Sequence, residues 1–289
     1  MASEGGDEYI ILSKFGSNTT HLLTGVQDIS FSQNVQEESV MLLGTDHTDY
    51  NITGPTTTNL TFSKVFANDD IIDSTLTGQR LSGAFVYGDR AMVFNFSYIV
   101  GYSINVNIGD VPRLQCSINV LGDLSGDSSN GNLSHVQDHF LKPALKETPM
   151  ELIPQTGINI TYDKSTTLDQ VQSFSLSRAF PWDPYYSIGS LGPTQAVLNG
   201  PISEEVSIDF EVEDYVFENK TGYNSSAPGA STIRNSNEIS LSISSTTGLL
   251  KTYTVNNHRL VSENISTRVS DTPIASLTYR GIRPGIRPN

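Results

Sequence analysis

"SINVNIGDVPRLQCSI" (residues 103–118) and "NISTRVSDTPIASLTY" (residues 264–279) decide the fold between them. Each is an alternating apolar run that stops at Gly109-Asp110 or Ser270-Asp271, turns through Pro112 or Pro273, and resumes alternating. Alternation with period 2 marks a strand with one buried and one polar face. Proline cannot donate to a strand ladder and holds φ at about −65°, so it belongs at the turn between two antiparallel strands. The preceding Asp110 or Asp271 is placed to cap that turn through its carboxylate. Each stretch therefore reads as a strand-turn-strand corner, present twice.

The recurrence extends along the chain. Ile104, Asp110, Pro112 and Ser117 match Ile265, Asp271, Pro273 and Thr278 at an offset of 161 residues. Upstream, "VQDISFSQNVQEESVMLLGT" (26–45) matches "VQSFSLSRAFPWDPYYSIGS" (171–190) at 145, with Val26, Gln27, Ser30, Ser32 and Gly44 recurring as Val171, Gln172, Ser175, Ser177 and Gly189. Gly54-Pro55 recurs as Gly200-Pro201 at 146, and "LTF" (60–62) as "IDF" (208–210) at 148. Collinear matches with rising offsets are the mark of one duplicated unit that later took insertions. The largest step falls on "NKTGYNSSAPGAS" (219–231), polar and rich in Gly and Ser. The expected organisation is a first domain at 1–148, with a linker at about 123–148, and a second at 149–289 carrying the 219–231 insertion. Each would have its own core, since a domain of that size buries roughly two thirds of its unfolded surface.

The expected fold class is all-β, two tandem β-sandwich or barrel domains with one or two short helices. In the first half, 91–109 is long enough for a hairpin or a strand pair, while "TTGL" (246–249) reads as a hairpin turn between 238–245 and 250–257. The best helical signal is "SHVQDHFLKPALKE" (134–147), which Pro143 kinks or ends.

Composition narrows the function. The 289 residues carry 31 acidic and 17 basic side chains, a net charge of −14, and that argues against a grip on nucleic-acid phosphates. The sequence has no apolar run of about 18 residues and no basic-then-apolar leader, so neither a transmembrane span nor a signal peptide is expected. Synthesis in the cytoplasm follows. Nine Asn-x-Ser/Thr triplets are accounted for by chance in a chain so rich in Asn, Ser and Thr. Cys116, the one cysteine, excludes an intrachain disulfide and reads as a small core residue.

Chemistry-bearing constellations are scarce. His135 and His139 share one helical face but lack a third ligand at a recognisable spacing, and "GDLSGDSSNGN" (122–132) lacks the terminal Glu of a calcium loop. Glu204-Glu205 and Glu37-Glu38 are adjacent on strands, so their side chains point to opposite faces and form no acid/base dyad. Phosphate loops, nucleophile elbows and zinc-hydrolase motifs are missing too. The expectation is a protein with no enzymatic activity, cofactor or metal. "RAFPWDPYY" (178–186) stands out, with Phe180, Trp182, Tyr185 and Tyr186 around two prolines. A braced aromatic loop of this kind is a candidate subunit contact, weighed against packing within the domain.

The first strand followed by "MLLG" or "YSIG", then Gly-Pro, then an alternating run closing on Gly/Ser-Asp-x-Pro, resembles the major tail tube proteins of long-tailed bacteriophages, in a double-domain form. The resemblance spans both halves and reports a fold, with Gly44 and Gly189 beside Asp110, Pro112, Asp271 and Pro273 as its structural positions. It implies β-sandwich domains with a flanking helix, assembled as stacked rings. Six domains to a ring would make the chain a trimer with pseudo-sixfold symmetry. An electronegative lumen would pass DNA to the host during ejection without specific binding. Implied partners are further copies of the chain and the tape measure, tail terminator and distal tail or baseplate proteins. The implied location is the virion, after assembly in the host cytoplasm, without membrane insertion by this chain. The acidic "MASEGGDEYI" and the basic "RGIRPGIRPN", with Arg283 and Arg287, are candidate contacts between stacked rings. The alternative expectation is a receptor- or carbohydrate-binding tail or decoration protein, because sandwiches with aromatic loops serve that purpose as well.

Overall fold

A computed structural model of the chain describes residues 8–17, 20–23, 25–40, 50–66, 70–87, 90–121, 124–126, 153–162, 166–167, 171–190, 192–211, 235–266 and 273–283. The expected helix at 134–147, the insertion at 219–231, and Gly44, Asp271 and Arg287 lie outside the described residues, as does all of the 123–148 linker but Leu124–Gly126.

The protein is all-β. The first half contains β1 (Glu8–Lys14), β2 (Thr20–Leu23), β3 (Val26–Val40), β4 (Tyr50–Val65), β5 (Leu81–Tyr87), β6 (Arg90–Asn107), β7 (Arg113–Val120) and the two-residue β8 (Ser125–Gly126). The second contains β9 (Ile158–Tyr162), β10 (Thr166–Thr167), β11 (Val171–Ala179), β12 (Trp182–Tyr186), β13 (Pro193–Leu198), β14 (Ile202–Glu211), β15 (Asn235–Ser244), β16 (Leu249–Ser266) and β17 (Ile274–Arg283). The helical pieces described are a π-helical turn at Ile72–Leu76 and a 3-10 turn at Gln155–Gly157.

Both halves have the same pairing order. In the first, β3 pairs β4, β4 pairs β7, β7 pairs β6, β6 pairs β5, β5 pairs β1 and β1 pairs β2, all antiparallel. In the second, the order β11-β14-β17-β16-β15-β9-β10 repeats it strand for strand. The likeness reaches single residues. A bulge at Val100 in the β6–β7 ladder has a counterpart at Val261 in β16–β17, and one at Gln27 in β3–β4 has a counterpart at Gln172 in β11–β14. These are the offsets of 161 and 145 seen in the sequence. One offset changes: Phe62 lies opposite Cys116 and Ile208 opposite Leu277, so β14 matches β4 at 146, not at 148.

The run at 91–109 forms neither a hairpin nor a strand pair. It is one 18-residue strand, β6, whose first part pairs β5 and whose last part pairs β7. Strand β16 bridges β15 and β17 in the same manner. A bulge bends a strand and increases its local twist, which lets one strand serve two layers of a sandwich. The first Asp-x-Pro corner closes the β6–β7 turn: Gly109 takes φ +82°, where a side chain would be strained, and the Asp110 backbone N–H donates to Asn107 O at 3.2 Å.

Alternation places Leu60 and Phe62 of β4, Cys116 and Ile118 of β7, and Ile208 of β14 in the core with at most 4 % exposure. Burial pushes the Cys116 thiol far up from its ordinary value, as befits an inert core residue. Strand β1 does not alternate in burial, since Ile10, Ile11 and Leu12 are all fully buried. One hydrophobic cluster runs through both halves in place of two separate cores. Replacing Phe62 by Ala is expected to cost about 3–5 kcal/mol of stability by chemical denaturation, in a single cooperative transition because the cluster is shared.

Candidate assembly interface

The halves are joined edge to edge. Strand β11 pairs the last part of β6 in an antiparallel ladder from Ser173↔Asn107 to Ala179↔Gly101. The result is one continuous sheet in the order β3-β4-β7-β6-β11-β14-β17-β16. Phe174 and Leu176 of β11 and Ile104 and Val106 of β6 lie along the core face of this junction, all buried.

A polar network lies on that same face. Asp70 lies just before the π-helical turn of the first half, and its carboxylate accepts from the backbone N–H of Ile72 at 3.1 Å. Its other oxygen accepts from Tyr102 of β6 and from Tyr253 of β16 (2.6 Å), and the two hydroxyls lie 3.0 Å apart. One helical turn and two strands, drawn from both halves, thus meet on a carboxylate that is 1 % exposed. Next to it, Arg178 of β11 donates to Glu204 of β14 at 2.7 Å and to Asp73 of the helical turn, while Lys251 reaches Asp73 at 3.4 Å. Burial lowers the Arg178 pKa, but the carboxylates of Asp73 and Glu204 outweigh it and hold the guanidinium above its ordinary value. A buried cation of this kind is stable only while both carboxylates stay in place. His258 Nε2 stands 3.7 Å from Glu204, and its ring leaves so little room above Gly281 that a Cβ there would approach it to 2.6 Å.

The aromatic stretch divides by position. Phe180 and Trp182 are buried within the chain: the Phe180 backbone N–H donates to Val100 O, Trp182 Nε1 donates to Ile99 O at 3.0 Å, and the indole packs 4.2 Å from the Tyr98 ring. They fasten the β12–β13 hairpin of the second half onto β6 of the first. Tyr185 and Tyr186 remain on the exposed part of that hairpin, which turns through Gly189 at φ +86°. Glu204 and Glu205 point to opposite faces as their adjacency requires, Glu205 accepting from Arg280 at 2.5 Å. Arg283 is exposed at the end of β17, opposite Ile202. Pro112 is buried and its carbonyl accepts from the Phe66 N–H, whereas Pro273 immediately precedes β17.

The sheet ends in two strands with one neighbour each. Among the described residues, β3 pairs only β4, and residues 262–266 of β16 pair only β17. By the offsets above, β3 is the counterpart of β11, and 262–266 is the counterpart of 101–105 in β6. The counterparts differ in exposure: Phe31 and Val35 of β3 are 49 % and 43 % exposed where Leu176 and Phe180 are buried, and Ile265 is 52 % exposed where Ile104 is buried. Sequence reading missed the Asp70 and Arg178 clusters, since their members lie 26 to 183 residues apart along the chain.

No protein-family model matches the chain, and no curated protein is similar enough to count as a relative.

Burial and the neighbouring Asp70 raise the pKa of Tyr102 and Tyr253 well above the ordinary 10.0. Both phenols stay neutral in the fold but ionise in the unfolded chain, so their contribution is full below pH 10.0 and falls as pH rises beyond it. Denaturation at several pH values from neutral to alkaline is expected to show Tyr253→Phe less stable at neutral pH, with a shallower loss of stability above pH 10 than the parent. Equal slopes would show that Tyr253 ionises as freely in the fold as out of it.

Proposed function

We propose that the chain is a structural subunit of a bacteriophage tail tube, assembling as rings that stack around an electronegative lumen through which DNA passes to the host. One observation carries this reading. The two strand edges that have no second partner among the described residues are the counterparts of the two edges already joined between the halves. A subunit whose ends repeat its own internal junction is suited to head-to-tail association, which closes into a ring when the rotation allows it. Two units of one plan per chain make a trimer with pseudo-sixfold symmetry the natural closed form, and they support descent from one duplicated unit.

The net charge of −14 fits the same role. DNA sliding along a negatively charged wall finds no phosphate contacts to break. Further copies of the chain are the principal partner, and the tape measure, terminator and distal tail proteins would meet the ends of the stack. The exposed Tyr185 and Tyr186, with Ile188 beside them, are left for contacts outside the subunit, and Arg283 for contact between rings. The receptor- or carbohydrate-binding alternative would use that same exposed aromatic tip.

Negative-stain microscopy of the purified protein is the test. Hollow rods of uniform diameter, or closed rings, are expected; a discrete monomer that binds glycans through the β12–β13 tip would replace this reading with the adhesin one.

A further inference from the structure

We propose that neighbouring copies join by pairing β3 of one copy with residues 262–266 of β16 of the next, in a fixed register with Phe31 opposite Ile265. The register comes from the internal junction. There Ser175↔Asn105, Leu176↔Ile104, Ser177↔Ser103, Arg178↔Tyr102 and Ala179↔Gly101 are paired. Shifting β11 to β3 by 145 and β6 to β16 by 161 gives Ser30↔Ser266, Phe31↔Ile265, Ser32↔Asn264, Gln33↔Glu263 and Asn34↔Ser262.

Three observations independent of that projection agree with it. Both edges lack a second neighbour among the described residues, so their outward backbone groups are open to pairing. Phe31 and Ile265, which the register sets opposite one another, are both among the large apolar side chains left half exposed. Finally, Thr58 Oγ1 is buried with no hydrogen-bond partner among the described residues, and Thr58 lies opposite Gln33 in the β3–β4 ladder. Thr58 is the counterpart of Glu204, and Gln33 of Arg178. Glu263 of the next copy stands where Tyr102 stands in the internal junction, with Gln33 between it and Thr58 as Arg178 stands between Tyr102 and Glu204; there the Gln33 amide N–H donates to Glu263 and its oxygen accepts from the Thr58 hydroxyl.

The seam consequently differs in chemistry from the junction it repeats. The internal junction is locked by a buried Arg178 between Glu204 and Asp73. The seam substitutes a neutral Gln and Thr facing a single carboxylate, so its charge can be reversed from one side without unfolding either copy. That property makes it testable.

The inference rests on the ring reading for the number of copies but not for the seam itself, and two experiments on the full chain separate them. Gln33→Glu sets two carboxylates against each other and is expected to weaken self-association at least about tenfold by analytical ultracentrifugation, while Gln33→Glu with Glu263→Lys restores it. Gln33 and Glu263 are exposed in the single chain, so its thermal unfolding serves as the control for both variants. In parallel, Ser32→Cys with Asn264→Cys is expected to give oxidised covalent oligomers, since paired antiparallel residues lie within disulfide reach. The controls pairing Ser32→Cys with Ser262→Cys or Ser266→Cys, two residues out of register, are expected to cross-link poorly. Assembly that proceeds with Gln33→Glu unaffected, or with the out-of-register pairs cross-linking best, overturns the seam and leaves the ring reading standing. A parent chain that stays monomeric at all concentrations overturns both.

Discussion

The β6–β11 ladder is the constraint on which the rest of the structure depends. A strand edge is a row of unsatisfied amide and carbonyl groups, and here the first strand of the second half covers the open side of the long strand of the first. That pairing turns two sandwiches into one sheet and lets one hydrophobic cluster run through both. It also brings Arg178 under the sheet beside Asp73 and sets Tyr102 within reach of Tyr253. Each of these contacts joins residues from different halves, and each needs the ladder to hold them in register.

The same ladder explains the asymmetry between the halves. In β11 the core-facing residues Phe174, Leu176, Arg178 and Phe180 are all buried, because β6 and the helical turn cover them. Among the described residues no strand pairs the outer side of β3, so the counterparts Phe31, Gln33 and Val35 stay exposed while Ile29 is half-buried against the core. Gln in place of Arg is consistent with this, since an arginine at position 33 would find Thr58 where Arg178 finds Glu204. The aromatic hairpin shows the divergence in another way. The second half leaves the β11–β14 ladder at Phe180 to make it, whereas β3 and β4 stay paired out to Val40↔Tyr50.

Much of this plan was legible in the sequence, for a physical reason. Strand register is fixed by which residues must face the core, so a duplicated sheet keeps its apolar positions at constant offsets. Ile104 and Ile265 could be matched without coordinates, and so could Val26 and Val171. Strand β1 was not legible: Ile10-Ile11-Leu12 are buried on both faces, and three apolar residues in a row look like neither alternation nor a helix. The continuity of β6 was hidden as well, because a bulge at Val100 leaves no mark in composition. The Asp70 and Arg178 networks were beyond reach for a different reason. Their partners are set by the pairing of β11 with β6 and by the placement of a short helical turn, and neither follows from local sequence. Phe180 and Trp182 were expected at a contact between subunits and are instead buried inside the chain, because the junction brings Tyr98 and Ile99 of the first half against the indole.

The most direct measurement of the central claim is hydrogen exchange at backbone amides, compared between the single chain and its assembled form. The account predicts that amides of β6 and β11 are protected in both states, as befits an internal ladder. Amides of β3 and of residues 262–266 on their unpaired sides should exchange rapidly in the single chain and become protected together on assembly. Protection of both edges in the single chain, or assembly that leaves them exchanging as before, would contradict it.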